Sequence, residues 1–94
     1  MPRPKKSRQL SCCAPCSMFK PNGVPAKELA KIQLQADEFE ALNLGDVQKL
    51  SQLEAAALMG ISRQTFGNLL ASARKKSATA IIQGQILLLP QSNQ

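Results

Sequence analysis

The sequence predicts a mainly α-helical domain built around a helix-turn-helix, with a short two-stranded β element and a basic N-terminal arm. Two helix start signals, Ser51 and Ser62, flank a short segment that ends at Gly60. Serine caps the first amides of a helix, and glycine adopts the left-handed conformation in which many helices end. The predicted arrangement of residues 50–76 is therefore a helix, a three-residue turn and a second helix.

The first helix of this unit has Glu54 three residues after Ser51, which is the spacing of a capping box. Its apolar positions are Leu53, Ala56 and Ala57. Because Ala56 is small, we expect the two helices to approach each other most closely there.

The second helix begins at Ser62 and carries one apolar stripe at the spacing i, i+3, i+4 and i+7. The residues of this stripe are Phe66, Leu69, Leu70 and Ala73. We expect the helix to continue through Ala80 and Ile81 and to end at Gly84.

The elements outside this unit follow from shorter patterns. Residues 31–35 alternate polar and apolar side chains and predict a strand, and a short helical turn is expected near residues 26–30. Asp37, with Glu40 three residues later, predicts a capped helix that ends near Gly45. Residues 85–89 predict a second strand that ends at Pro90 and pairs with the first.

The chain divides into an arm at residues 1–24, a helix-turn-helix domain at residues 25–90 and a tail at residues 91–94. The arm is basic, rich in proline and holds all three cysteines. The tail is polar, and we expect it to fray. Ninety-four residues suffice for one domain with one modest core.

The formal net charge of +6 is unevenly distributed along the chain. Residues 1–20 carry five bases and no acid, residues 21–50 three bases and five acids, and residues 51–94 four bases and one acid. Two basic ends on one side of the fold would form a cationic face that attracts a polyanion. Charge alone fits a merely soluble basic protein equally well.

The apolar segments of the sequence bear on its localisation and on membrane association. No apolar stretch of signal-peptide length follows the basic start, so we expect a cytoplasmic protein. A membrane is not an expected partner, because no basic amphipathic helix is apparent.

Helical rotation places a polar surface opposite the predicted buried residue Phe66. At 100° per residue, Gln64, Asn68 and Lys75 project away from Phe66, together with Ala71. Side-chain amides pair with adenine in the major groove, and basic side chains contact guanine or phosphates. The predicted DNA-binding residues are Ser51, Gln52, Ser62, Arg63, Gln64, Thr65, Gly67, Asn68, Arg74, Lys75 and Lys76, with Arg3, Lys5 and Lys6 of the arm.

Three cysteines, Cys12, Cys13 and Cys16, lie within five residues. The C-x-x-C spacing of Cys13 and Cys16 suits two thiolates on one zinc or iron atom, with Cys12 as a third ligand. The chain has no histidine, so a fourth ligand would come from Ser7, a carboxylate, water or a second subunit. One interpretation is therefore a zinc ion or an iron-sulfur cluster that makes the protein metal- or redox-responsive. The other is an arm with unoccupied thiols.

Nearly the whole chain resembles a known family. The segments that carry the resemblance are Pro2-Arg3-Pro4-Lys5-Lys6, Phe19-Lys20-Pro21, Gly23-Val24-Pro25, Asp37-Glu38-Phe39-Glu40-Ala41-Leu42, Leu50-Ser51-Gln52, Glu54-Ala55-Ala56, Met59-Gly60-Ile61-Ser62-Arg63-Gln64-Thr65-Phe66-Gly67 and Ala73-Arg74-Lys75-Lys76. They look like the uncharacterised prokaryotic family called domain of unknown function 134. That family is described as predicted DNA-binding, with a helix-turn-helix similar to region four of sigma factors. The resemblance implies this fold and class but no DNA target.

These observations predict a sequence-specific DNA-binding protein that regulates transcription. We expect a homodimer on double-stranded DNA, because one helix-turn-helix contacts too few base pairs to be selective in a genome. The alternative is an interaction module that contacts RNA polymerase or another regulator. An enzyme is not expected, because a thiol redox site needs a βαβ framework and the usual nucleophile arrangements need histidine.

Overall fold

Three α-helices and a three-stranded sheet make up residues 16–91, the part of the chain that the computed structural model describes. The elements in chain order are β1 (Met18–Phe19), a 3₁₀ turn (Ala26–Glu28), β2 (Lys31–Gln33), α1 (Ala36–Leu42), a π-helical turn (Asn43–Val47), α2 (Gln52–Met59), α3 (Arg63–Gln83) and β3 (Ile86–Leu88). The mainly helical class predicted from the sequence is confirmed.

The sheet has β3 at its centre, in the order β1-β3-β2. β3 runs parallel to β2, with Leu87 opposite Ile32, and antiparallel to β1, with Leu87 opposite Phe19. Parallel strands need a long connection, which the three helices supply. The predicted pairing is confirmed, but the prediction of only two strands was wrong. β1 lies within the segment predicted as an arm, and two residues are too few to show a strand period.

Both helices of the predicted helix-turn-helix begin and end where the sequence places their signals. The Ser51 hydroxyl accepts from the Glu54 amide, and the Glu54 carboxylate accepts from the Ser51 amide, both at 3.0 Å. The Ser62 hydroxyl accepts from the amide three residues later, also at 3.0 Å. Gly60 and Gly84 follow α2 and α3 with φ of 72° and 67°. Three residues therefore join α2 to α3.

The first helix, α1, begins with a different cap from the predicted one. Gln35 occupies the N-cap position, and its backbone amide donates to the Glu38 carboxylate at 2.8 Å. The prediction that Asp37 and Glu40 form the capping box was wrong. Glu38 also binds side chains of α3, a long-range contact that no local pattern reveals.

The Phe66 side chain is fully buried where α1, the π-helical turn, α2 and α3 meet. The buried residues of this core are Ala41, Leu44, Ala55, Ala56, Met59, Phe66 and Leu70. Gly45 lies inside the π-helical turn rather than ending α1. A Cβ atom at Gly45 would lie 3.3 Å from Phe66 Cζ and 3.1 Å from Leu70 Cδ2. The missing side chain therefore lets this turn pack directly on α3.

The buried face of α2 differs in part from the predicted one. Ala56 is buried as predicted, with Ala55 and Met59 beside it, whereas Leu53 and Ala57 are exposed. Apolar residues surround most of this eight-residue helix. Their spacing therefore could not identify the face that packs on α3.

Candidate nucleic-acid interface

One face of α3 collects the central residues of the predicted interface. Gln64, Asn68, Ala71 and Lys75 are all exposed, and we call them the outer face of α3. Phe66 is completely buried on the opposite side of the helix. The rotation of α3 predicted from the sequence is therefore confirmed.

The beginning of α2 lies beside this helix. The Gln52 side-chain oxygen lies 3.6 Å from the position that a Cβ atom would occupy at Gly67. Gln52 is exposed, as are Arg63 and Thr65 at the start of α3. The structure thus brings predicted residues from both helices onto one side.

Two predicted residues, Ser51 and Ser62, already use their hydroxyl groups within the chain. Each hydroxyl accepts a backbone amide as a helix cap. The Ser62 hydroxyl also donates to Thr65 Oγ1 at 2.9 Å. Both serines are exposed. Because their hydroxyl groups cap the two helices, their role within the chain is to fix the helix starts, which orients the neighbouring side chains.

The charge of α3 is entirely positive, with four basic residues and no acidic one. Arg74 pairs with Asp46 at 2.5 Å, and Lys76 pairs with Glu38 at 2.7 Å. The other two are Arg63 and Lys75, which are exposed and make no ion pair or hydrogen bond within residues 16–91. Arg63 and Lys75 are thus the two cations of α3 that have no carboxylate partner within residues 16–91.

The Arg74 guanidinium binds both carboxylate oxygens of Asp46, at 2.9 and 2.5 Å. This hydrogen bonding lowers the pKa of Asp46 from its ordinary value. Because the guanidinium is exposed to water, the ion pair contributes little to stability. Arg74 remains accessible to a phosphate group.

Lys76 occupies a different setting, because its ammonium lies against α1 and β2. It donates to the Glu38 carboxylate at 2.7 Å and to the Gln33 carbonyl at 2.8 Å. The Ser72 hydroxyl donates to the second oxygen of Glu38. A contact of Lys76 with phosphate would have to replace these bonds, so its visible role is to join α3 to the neighbouring elements.

The carboxyl group of Glu38 is buried, which by itself raises its pKa. Hydrogen bonds from Lys76, Ser72 and the Gln35 amide outweigh this effect and hold the pKa below its ordinary value. Glu38 is therefore a charged group of the folded state. Neither it nor Asp46 was predicted as a partner of α3, because separations of 38 and 28 residues leave no local signal.

Several predicted site residues lie outside the described part of the chain. They are Arg3, Lys5, Lys6, Cys12 and Cys13. Cys16 is exposed, and residues 16–91 contain no group of three metal-ligating side chains placed to hold an ion. The zinc or iron-sulfur site at the three cysteines stays a prediction. No helix within residues 16–91 combines the length and the hydropathy that a membrane crossing requires.

Comparison with known proteins identifies relatives without an assigned activity. The family described as "Protein of unknown function DUF134" matches residues 1–93. A UPF0251 protein of Shewanella sediminis is 77% identical over 94 residues, which cover 100% of this chain and 98% of the relative. A UPF0251 protein of Shewanella baltica is 80% identical over 90 residues, which cover 96% of this chain and 92% of the relative. No solved structure matches the chain with significance.

Replacement of Glu38 tests what its network contributes to stability. We expect Glu38→Gln to lower the free energy of unfolding at neutral pH by about 2 kcal/mol, because the partly buried Lys76 ammonium loses its carboxylate. A carboxyl group whose pKa is lowered on folding stabilises the fold above its ordinary pKa of 4.5. This contribution is lost as the pH falls through the lower pKa of the folded state. Urea unfolding at a series of pH values measures both effects.

Glu28→Gln is the matched control, because it removes an exposed carboxylate from the 3₁₀ turn. It should keep the stability and pH dependence of the wild type. If Glu38→Gln also kept both, from neutral pH to about pH 3, the network would have no stabilising role.

Proposed function

This chain belongs to the DUF134 family, also named UPF0251, and because neither name assigns an activity, we propose from the geometry of α3 that the protein binds double-stranded DNA. The outer face of α3 contacts bases in the major groove. The single observation that carries this proposal is the exposure of Gln64, Asn68 and Lys75 on one side of a helix whose other side is buried.

The dimensions of α3 support the proposal. The major groove is wide enough to admit an α-helix. Gln64 and Asn68 are four residues apart, which is about 6 Å along the helix, and base pairs are stacked about 3.4 Å apart. The two amides therefore suit base pairs one or two steps apart, and each can pair bidentately with adenine.

The arrangement of α2 beside α3 also resembles that of helix-turn-helix proteins. In those proteins the first helix crosses the DNA backbone and the second enters the groove. Gln52 at the start of α2 lies next to Gly67, where it suits a phosphate contact. Arg63 and Lys75 add charge at two positions along α3. We also propose that this unit is similar to region four of sigma factors.

We propose transcriptional regulation as the role of this binding, with a homodimer as the active form. One α3 contacts only a few base pairs, whereas two copies contact a two-fold site of useful selectivity. A second candidate function is contact with RNA polymerase or another regulator. The exposed Leu53 and Leu58 side chains of α2 favour it, because apolar groups are common in protein interfaces.

Alanine variants of the outer face distinguish base contacts from phosphate contacts. Gln64→Ala and Asn68→Ala should each weaken binding to the best site by about 1–3 kcal/mol and change the preferred sequence. Lys75→Ala should weaken binding to all DNA sequences alike. It should also reduce the magnitude of the slope of log K against log salt concentration by about one. Fluorescence anisotropy at several salt concentrations measures these effects on a site selected from genomic DNA fragments.

Gln83→Ala is the control, because Gln83 is exposed at the far end of the same helix. It should bind like the wild type. Indifference of binding to all three outer-face changes would contradict DNA contact by this surface and favour the polymerase or regulator partner.

Gly67→Ala separates stability from DNA affinity. A methyl group fits, because its carbon would lie 3.6 Å from the nearest side-chain atom, and glycine inside a helix costs about 1 kcal/mol relative to alanine. We expect the variant to be more stable by up to about 1 kcal/mol. We expect its DNA affinity to fall several-fold, because the methyl group holds the helix and Gln52 away from the groove wall. Urea unfolding and anisotropy titrations give the two quantities, and unchanged affinity would exclude close approach at Gly67.

A further inference from the structure

A carboxylate lies at the edge of the proposed DNA-binding surface. Asp46, in the π-helical turn, accepts two hydrogen bonds from the Arg74 guanidinium of α3, at 2.9 and 2.5 Å. The side chain of Arg74 is 58% exposed and that of Asp46 is 32% exposed. The pair therefore has bidentate geometry and is open to solvent, so an anion from outside can reach the guanidinium.

Arg74 lies on the flank of α3 that faces the start of α2. At 100° per residue, Gly67 and Arg74 are roughly 80–100° around the helix axis from the buried Phe66, whereas the outer face lies about 180° from it. The Gln52 side chain of α2 lies beside Gly67 on this flank. When the outer face of a helix meets the bases of a groove, its flanks meet the sugar-phosphate walls. Arg74 is thus placed at a wall rather than at the bases.

A second cation, Lys49, acts on the same carboxylate. Its side chain is exposed, and its charge adds to the hydrogen bonds from Arg74 that lower the pKa of Asp46. Lys49 has a φ of 63°, and it is the only residue other than glycine with a positive φ within residues 16–91. That conformation is unfavourable for a residue with a Cβ atom, and such strain is concentrated at functional sites. Two cations thus lie within electrostatic reach of one carboxylate.

We propose that Arg74 and Lys49 form a phosphate-binding site, that Asp46 is its counter-ion in the free protein, and that a DNA phosphate displaces Asp46 on binding. This inference rests on the proposed function of α3. A phosphate and a carboxylate both present two oxygen atoms to a guanidinium, which binds either of them in bidentate geometry. The exchange therefore keeps both hydrogen bonds of Arg74 and leaves the Asp46 carboxylate to water.

The two ion pairs of α3 differ in how readily they can exchange. Release of Asp46 costs little, because an exposed carboxylate is readily hydrated. Release of Glu38 from Lys76 would leave a buried carboxylate without its cation, which is strongly unfavourable. A DNA phosphate also brings condensed counter-ions, whose release favours the exchange. Of these two pairs, only that of Arg74 with Asp46 suits replacement by DNA.

Asp46 therefore opposes DNA binding in the wild type. The complex forms only after the carboxylate has left Arg74, and the free carboxylate then repels the neighbouring phosphates. Because phosphate contacts carry no information about the bases, Asp46 affects the affinity for DNA and not the preferred sequence.

Fluorescence anisotropy with a selected DNA site and with a duplex of unrelated sequence tests the proposal. Asp46→Asn should bind both duplexes about two- to fivefold more tightly than the wild type, because Arg74 no longer has to leave a carboxylate. The matched control is Glu28→Gln, which changes the net charge equally but lies in the 3₁₀ turn. It should bind like the wild type. Urea unfolding confirms that each variant is folded.

Arg74→Ala separates exchange at Arg74 from the simple removal of a negative charge. Its loss of affinity should be about two- to fivefold greater in the Asp46→Asn background than in the wild-type background, because only the wild-type guanidinium has a carboxylate partner to give up. Lys49→Gln should weaken binding to both duplexes alike and reduce the magnitude of the slope of log K against log salt concentration by about one.

Three results overturn the proposal while leaving DNA binding intact. They are an Asp46→Asn variant that binds no more tightly than the wild type, an equal loss from Arg74→Ala in both backgrounds, and a Lys49→Gln variant that binds like the wild type. Failure of the proposed function has a different outcome. In that case neither the wild type nor any variant binds either duplex, which refutes the DNA-binding role and the exchange together.

Discussion

Burial of the Phe66 side chain determines which face of α3 meets solvent. Rotating α3 by half a turn would expose this ring, whose burial is worth about 1.5–3 kcal/mol. The same rotation would bury the Gln64 and Asn68 amides without partners, at about 1–3 kcal/mol each. The small neighbours Ala55 and Ala56 allow α2 to close over the ring. The orientation of the proposed interface is thus a consequence of core packing.

Two ion pairs link α3 to other elements and limit its free charge, although only the partly buried Lys76–Glu38 pair is expected to add much stability. Lys76 is bound by Glu38 of α1, and Arg74 by Asp46 of the π-helical turn. A count of bases would assign four cations of α3 to phosphates, whereas two of them already have carboxylate partners. Arg63 and Lys75 therefore supply most of the attraction that the described part of α3 can offer a polyanion. Residues 1–15 carry four further bases, Arg3, Lys5, Lys6 and Arg8.

The sequence was sufficient for features that depend on local chemistry. Ser51, Ser62, Gly60 and Gly84 set the limits of α2 and α3, because caps and left-handed glycines act within a few residues. The stripe around Phe66 fixed the rotation of α3, since 21 residues sample the helical period many times. The eight residues of α2 cover too few turns to show which face of that helix is buried.

Contacts between distant segments were not predictable in the same way. The cap at Gln35 depends on Glu38, which in turn binds Lys76 of α3, far along the chain. β1 forms because β3 offers an edge, and its two residues carry no pattern of their own. An open apolar groove between β1, the C-terminal part of α3 and β3 likewise exists only once Phe19 and Ile81 are brought together. Each of these features needs tertiary structure.

The proposed DNA-binding surface combines the start of α2 with the exposed face of α3 from Gln64 to Lys75. The most direct test of the DNA-binding surface is an NMR titration of the ¹⁵N-labelled protein with duplex DNA. The account predicts the largest amide shift changes at the start of α2 and along α3 from Arg63 to Lys75. Unchanged amides there, with the changes confined to other elements or absent, would contradict it.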